Sequence, residues 1–244
     1  MSSTFRLLTF GGGSLTDAEG RVVPLSRHRL ALLVVVSVAG DRGVSRDKLL
    51  ALCWPDTADA VARARLDQML HAIRRALGGA IFQHGQPLRG NDAVLGSDAR
   101  DFDLAVRAGA HADALALHHG PFLDGFHLGG MPELSRWIDT ERLARTRAAI
   151  EAARALSASF EAAGNLAAAL DVARRLTELA PEDERAARRL MMLLAQSGDR
   201  AAAIRCYEAF ARRLAAELEL APSAETCALA ARLRDGDVPR RLSA

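Results

Sequence analysis

The chain has 244 residues, a length that suits two domains better than one. Half of the residues are hydrophobic and a quarter are charged, which excludes a disordered chain and provides apolar surface for two cores. The longest apolar run, residues 30–39, is too short to span a bilayer, and no secretory signal is visible. We therefore expect a cytoplasmic protein without a membrane segment.

The formal net charge of +2 is unevenly distributed. Residues 1–98 carry 12 Lys and Arg against 9 Asp and Glu, whereas residues 99–244 carry 20 against 21. Four arginines and one aspartate lie between Val61 and Gly79. Because arginine is abundant throughout and Lys48 is the only lysine of the sequence, arginine number alone does not indicate nucleic-acid binding.

Short β-type runs open the chain. Residues 5–10, 14–16 and 21–25 are rich in apolar and β-branched side chains, and the turn residues 11–13 and 17–20 separate them. This alternation predicts a small antiparallel sheet.

Three helices are predicted next. The first follows Ser26 as its cap and ends at Gly40, after an apolar stretch. The second covers residues 46–53 after a second capping residue, Ser45, and the third covers about residues 58–77.

Strand-like pieces return over residues 80–97. Strands, three helices and a terminal hairpin, in this order, are typical of a winged helix-turn-helix, and from Ala99 onward the pattern is helical almost without interruption. The predicted fold class is therefore mostly α. An N-terminal winged helix-turn-helix of α+β type, residues 1–98, precedes an all-α helical-repeat domain, residues 99–244.

An internal repeat supports the second domain. Seven positions recur at an offset of 34 residues: Leu156 and Leu190, Phe160 and Leu194, Gly164 and Gly198, Asn165 and Asp199, Ala169 and Ala203, Leu170 and Ile204, Leu176 and Phe210. This period resembles the tetratricopeptide repeat, in which stacked helix pairs bury a shared core and leave a groove. The alternative is an Ala- and Leu-rich bundle without a repeat.

The order of these segments is similar to that of the antibiotic regulatory protein (SARP-type) activators. In that family a response-regulator-type winged helix precedes a bacterial transcriptional activation domain. The segments that carry the resemblance are residues 7–12, 27–29, 49–55, 66–78, 120–126 and 137–142. The expected wing, residues 82–89, departs from the family at Pro87 and Leu88, where relatives have an aromatic-rich strand.

The resemblance implies a transcriptional activator that binds double-stranded promoter DNA and recruits RNA polymerase, often as a homodimer on repeated half-sites. Such a protein is associated with the nucleoid when bound to DNA, and no cofactor is expected. A second hypothesis is a tetratricopeptide-type scaffold whose winged helix docks protein instead of DNA.

The third helix is the predicted reading element. A step of 100° per residue places Leu66, Leu70, Ile73 and Leu77 on one buried stripe. Residues opposite that stripe suit base edges, and arginines at its shoulders and at helix starts suit phosphates. The predicted DNA-binding residues are Arg27, Arg29, Arg46, Arg63, Arg65, Gln68, His71, Arg74, Arg75 and, on the wing, Arg89.

Enzymatic and metal chemistry are not expected. Residues 11–13 are glycines without a following Lys-Ser/Thr pair, so they do not form a phosphate-binding loop. His118, His119 and His127 have no matching cysteine or HExxH partner, and we expect them to face solvent. The three cysteines, Cys53, Cys206 and Cys227, are expected to be core residues.

Overall fold

A three-stranded sheet opens the chain in the computed structural model, which describes residues 4–237. Its strands are β1 (Phe5–Leu8), β2 (Ser14–Asp17) and β3 (Leu95–Ser97), in the order β2-β1-β3. β1 and β2 are antiparallel, as predicted, but β1 and β3 are parallel, with Phe5 opposite Leu95. The predicted antiparallel pairing of the first two strands is therefore confirmed, but the third strand of the sheet is β3 and not the predicted segment 21–25. Three helices lie between β2 and β3, and this long connection lets the chain return parallel to β1.

The predicted strand over residues 21–25 is also wrong. Val22 forms one isolated bridge with Thr16, and the Val23 amide donates to the Leu15 carbonyl at 2.8 Å. Pro24 follows, and it has no N–H to continue the pairing.

The three predicted helices are present as α1 (Arg27–Ala39), α2 (Arg46–Cys53) and α3 (Asp59–Leu77). The Ser45 hydroxyl caps α2 by accepting a hydrogen bond from the Lys48 amide at 3.2 Å. Ser26 occupies the capping position of α1, but its side chain accepts no hydrogen bond there. Residues 30–37 of α1 are buried as a continuous run, so this helix is the centre of the N-terminal core.

The segment between α3 and β3 is less regular than the predicted hairpin. It contains one turn of 3-10 helix (Gly79–Ile81) and an isolated bridge between Phe82 and Gly90. Leu88 is buried and exchanges two hydrogen bonds of 2.9 Å with Val44, just before α2. The segment is thus held to the start of α2 as well as to itself.

A buried carboxylate joins β1 to the next helix, α4 (Asp98–Arg107). Asp98 accepts hydrogen bonds from the Thr9 amide at 2.7 Å, the Thr9 hydroxyl at 2.6 Å, the Phe10 amide at 3.1 Å and the Ala99 amide at 2.7 Å. Four donors therefore converge on one charged group, so the charge is buried with its hydrogen-bonding capacity used.

An irregular segment, residues 118–131, follows α5 (His111–Leu117) and packs into the same core. Phe122 and Leu123 in it are fully buried. His118 is also buried, with its ring 4.8 Å from that of Phe10, so the expectation that it faces solvent is wrong. His119 and His127 are exposed. His118 lies in a loop, but the apolar residues that pack against it hold its ring in the core.

Five further helices complete the described chain: α6 (Pro132–Ala162), α7 (Leu166–Leu179), α8 (Glu184–Gln196), α9 (Arg200–Leu218) and α10 (Ala224–Asp235). Arg142 of α6 donates to the carbonyls of Phe122 and Leu123 at 2.8 and 2.9 Å. Arg145 of α6 is 5% exposed and pairs with Asp103 at 2.7 Å and with Glu141 at 2.6 Å. These two arginines fix the irregular segment against α6.

The 34-residue offset coincides with equivalent turns. Gly164 and Gly198, which end the first helix of each pair, both have positive φ angles, 73° and 89°. The next residues cap the following helices: Asn165 accepts from the Ala168 amide at 3.2 Å, and Asp199 from the Ala202 amide at 2.8 Å. Glycine is needed at both turns because other residues rarely adopt that conformation.

The chain divides into two compact units, residues 1–147 and 148–244. The predicted domain boundary near residue 98 lies inside the first unit, because Asp98 and Phe122 pack with the N-terminal sheet. Residues 1–3 and 238–244 of the predicted domains lie outside the described residues. The domain boundary near residue 98 stays a prediction.

Two expectations about individual residues also meet the structure. Cys53 is buried, and this burial raises the pKa of its thiol to about 11, in line with a core role. Cys206 is half-buried and Cys227 is exposed, so the core expectation is wrong for Cys227. Within residues 4–237, no helix has the length and apolar character to cross a membrane.

Candidate nucleic-acid interface

Helix α3 divides into a buried and an exposed face. The predicted stripe of Leu66, Leu70, Ile73 and Leu77 is buried, and Ala62 extends it by one turn toward the N-terminus. This confirms the predicted rotation of the helix, since apolar residues three and four apart must face one side.

The predicted base-reading residues lie on the exposed face. Gln68, His71 and Arg75 are exposed, and so is Arg65 on one shoulder. Over residues 4–237, no hydrogen bond or ion pair engages any of these four side chains. Their polar groups are therefore exposed to solvent and available to a polar ligand.

Two other predicted arginines are engaged by carboxylates. Arg46, at the first position of α2, donates to Asp67 on α3. Arg63 pairs with Asp47 of α2 at 3.3 Å and with Asp59 at 3.6 Å, one turn earlier on its own helix. These aspartate partners are not among the DNA-binding residues predicted from the sequence. The Asp59–Arg63 spacing of four residues is visible in sequence, whereas the pairs between α2 and α3 depend on the packing of the two helices.

Arg74 lies toward the segment that follows α3. Its guanidinium carbon is 5.4 Å from the centre of the Phe82 ring, within the range of a cation–π contact. Arg46, Arg74 and Phe82 line a cavity of about 100 Å³ together with other residues of the 79–88 segment. The two arginines therefore belong to one surface formed by α2, α3 and this segment.

The remaining predicted arginines have separate partners. Arg89 is half-buried, and its Nε donates to the Asp41 carbonyl at 2.7 Å. Arg27 donates to the His127 carbonyl at 3.3 Å and lies 5.8 Å from the centre of the Phe126 ring. Both side chains are thus committed to backbone or ring contacts away from α3. Arg29 is half-buried at the start of α1.

The electrostatic character of the surface follows from these pairs. Arg46 and Arg63 each face a carboxylate, whereas Arg65 and Arg75 are exposed and have no ion-pair partner among residues 4–237. Phosphates attract such exposed charge at long range, and paired charge attracts them less.

Comparison with known proteins identifies the class. Residues 91–234 match the family model of the bacterial transcriptional activator domain. The chain belongs to this family, and the predicted resemblance to SARP-type activators is confirmed. Its class is therefore that of bacterial transcriptional activators of this type.

A solved structure with a similar fold is that of Mycobacterium tuberculosis EmbR in complex with a low-affinity phosphopeptide. The TM-score is 0.61 and the sequence identity 23%, over 95% of this chain and 65% of that chain. The chain therefore spans about two thirds of the length of that EmbR chain. A comparison with curated protein sequences found no match.

Proposed function

We propose that the chain activates transcription by binding a specific double-stranded promoter sequence through a winged helix formed by its N-terminal part. The observation that carries the proposal is the exposed face of α3, on which Arg65, Gln68, His71 and Arg75 have no side-chain partner among the described residues. An α-helix fits the major groove, where Arg pairs with guanine and Gln with adenine.

We further propose that the segment 82–89 is the wing, and that its departure at Leu88 has a structural reason. Leu88 is buried beside Val44, so it supports the base of the wing and leaves the DNA contact to neighbouring residues. The exposed residues of this segment are Gln83, His84, Gly85 and Gln86.

The helices from α6 to α10 are proposed as tetratricopeptide-like repeats that contact RNA polymerase or a second copy of the chain. The support is the repeated turn at Gly164 and Gly198 with its capping residues. Repeats of this kind cannot bury both faces of every helix, so they leave surface for a partner.

Salt dependence of binding tests the proposal. If the surface neutralises about four to six phosphates, a plot of log affinity against log salt should have a slope of about −4 to −5. We expect such a slope for the intact protein in fluorescence anisotropy titrations of double-stranded DNA. The variant R65A should flatten it by about one unit, because Arg65 is assigned to a phosphate, whereas R212A, which removes an exposed charge from α9, should not. No binding even at low salt would favour the protein-docking scaffold.

Base reading has its own expected result. Alanine at Gln68, His71 or Arg75 should cost about 1–3 kcal/mol at the preferred site and relax the base preference there. The matched variant R65A should weaken binding to every sequence equally, because Arg65 lies on a shoulder of α3 that faces phosphates. Selection of bound sequences from random DNA, followed by titration, measures both effects. If all three substitutions were silent in folded protein, another surface would have to read the bases.

A further inference from the structure

An ion pair couples α2 to the exposed side of α3. Arg46 Nη2 donates to Asp67 Oδ1, and the two side chains are 31% and 61% exposed. Asp67 immediately precedes Gln68 and stands one turn before His71 on the helix. It is the one acidic residue of α3 beyond its first turn. A carboxylate thus lies beside the proposed base-reading face.

A carboxylate at this position is unexpected on a surface that binds DNA, because it repels DNA phosphates. It also withdraws Arg46, which would otherwise be available to a phosphate. Surface ion pairs of this exposure contribute little to folding stability, so stability does not account for the pair.

The carboxylate has remaining hydrogen-bonding capacity. Arg46 occupies Oδ1, and the side chain of Asp67 is still more than half exposed, which leaves Oδ2 free to accept another donor. In the major groove, the exposed amino group of cytosine is the donor that Asp and Glu accept from, whereas guanine presents only acceptors and adenine presents its amino donor beside the N7 acceptor, which a carboxylate disfavours. By pairing with Oδ1, Arg46 restrains the direction of the second oxygen.

We propose that Asp67 is a specificity-determining residue that selects cytosine at one position of the DNA site, and that Arg46 is its positioning residue. The inference rests on the proposed function and adds an acidic base contact to those proposed for Gln68, His71 and Arg75. It assigns to Asp67 two effects of the same carboxylate: acceptance from cytosine and repulsion of sequences that lack that donor.

The test compares two substitutions at Asp67 in the full chain. D67A removes the acceptor, and we expect it to reduce discrimination at one position about tenfold while binding to random DNA tightens a few-fold. D67N keeps the size but adds an amide donor. Because Asn pairs with adenine, D67N should move the preference at that same position from cytosine toward adenine.

Matched controls separate base reading from charge. D56N makes the same change of net charge in the exposed loop between α2 and α3, and it should leave the base preference at every position unchanged. R46M removes the positioning cation, and we expect weaker discrimination at the Asp67 position alone, with the other positions intact. Selection from random DNA and anisotropy titration of single-base variants provide both measurements.

The outcomes distinguish the inference from the proposed function. If wild-type protein binds a preferred sequence but D67A and D67N keep the same preference at all positions, the inference is overturned and DNA binding stands. If D67A weakens binding to all sequences equally, Asp67 has only a structural role, which also overturns it. If wild-type protein binds no double-stranded DNA at low salt, the proposed function itself fails.

Discussion

Replacing Asp98 with Ala is expected to lower the free energy of unfolding of the N-terminal unit by about 3–5 kcal/mol. The substitution leaves the Thr9 amide, the Thr9 hydroxyl and the Phe10 amide buried without an acceptor. A buried donor without an acceptor costs about 1–3 kcal/mol, and D98A leaves three such donors. Urea denaturation followed by circular dichroism measures the change.

Asp101 provides the matched control, because it lies one turn further along the same helix. It pairs with Arg6 at 2.8 Å, and both side chains are about 40% exposed. D101A should therefore cost less than about 1 kcal/mol. Equal losses for D98A and D101A would contradict the role assigned to the buried carboxylate.

Replacing Arg145 with Ala should destabilise the same unit by about 3–5 kcal/mol. The substitution removes a buried cation from its two ion-pair partners, Asp103 and Glu141, together with its contact with Phe122, whose ring centre lies 4.7 Å from the guanidinium carbon. Asp103 is then left largely buried without its countercharge. The exposed Arg136, which pairs with Glu133 on the same helix, is the control, and R136A should cost less than about 1 kcal/mol.

The loss in R145A should depend on pH. Burial raises the pKa of Asp103, and Arg145 opposes that shift, so the pKa of Asp103 should rise further in R145A. A carboxyl group whose pKa is higher in the folded than in the unfolded state stabilises the fold at pH values below the ordinary pKa of 3.8. That stabilisation is lost as the pH rises through the folded-state pKa. The difference between R145A and wild type should therefore be smaller near about pH 4 than near about pH 7.

A second substitution tests that cause. The double variant R145A/D103N removes the buried charge that R145A leaves behind, so it should recover part of the lost stability at neutral pH and lose the pH dependence. Denaturation curves at both pH values measure this recovery. A double variant as unstable as R145A would mean that packing against Phe122, and not the unpaired carboxylate, dominates.

Periodicity predicted the helices of the N-terminal unit well. The stripe from Leu66 to Leu77 lies inward as the 100° step requires, and Ser45 caps α2 as its position suggests. These features depend on neighbours within one or two turns, which the sequence contains directly. The turns at Gly164 and Gly198 were also predictable, because the 34-residue offset is visible in the sequence.

Long-range partners were not predictable in this way. The parallel pairing of β1 with β3 joins residues about 90 positions apart, and the pair between Arg46 and Asp67 depends on how α2 crosses α3. The burial of His118 depends on Phe10 and Phe102, from two distant segments. Loop histidines have no periodicity that distinguishes a buried ring from a solvated one. For the candidate interface, sequence therefore identified the exposed arginines but not the carboxylates that engage two of them.

The Asp98 anchor has a consequence for the order in which the chain folds. Thr9 and Phe10 leave the ribosome before their carboxylate acceptor, which lies 89 and 88 residues later, respectively. Phe122, which forms a β-bridge with Phe10, is synthesised later still. Contacts of such sequence separation form slowly because a long loop must close before they are gained. The first strand therefore stays unpaired on its β3 side during synthesis, while the helices that follow it can already form. We therefore expect completion of the N-terminal sheet to be one of the last steps in the folding of its unit, since it requires residues of the activator domain that are synthesised later.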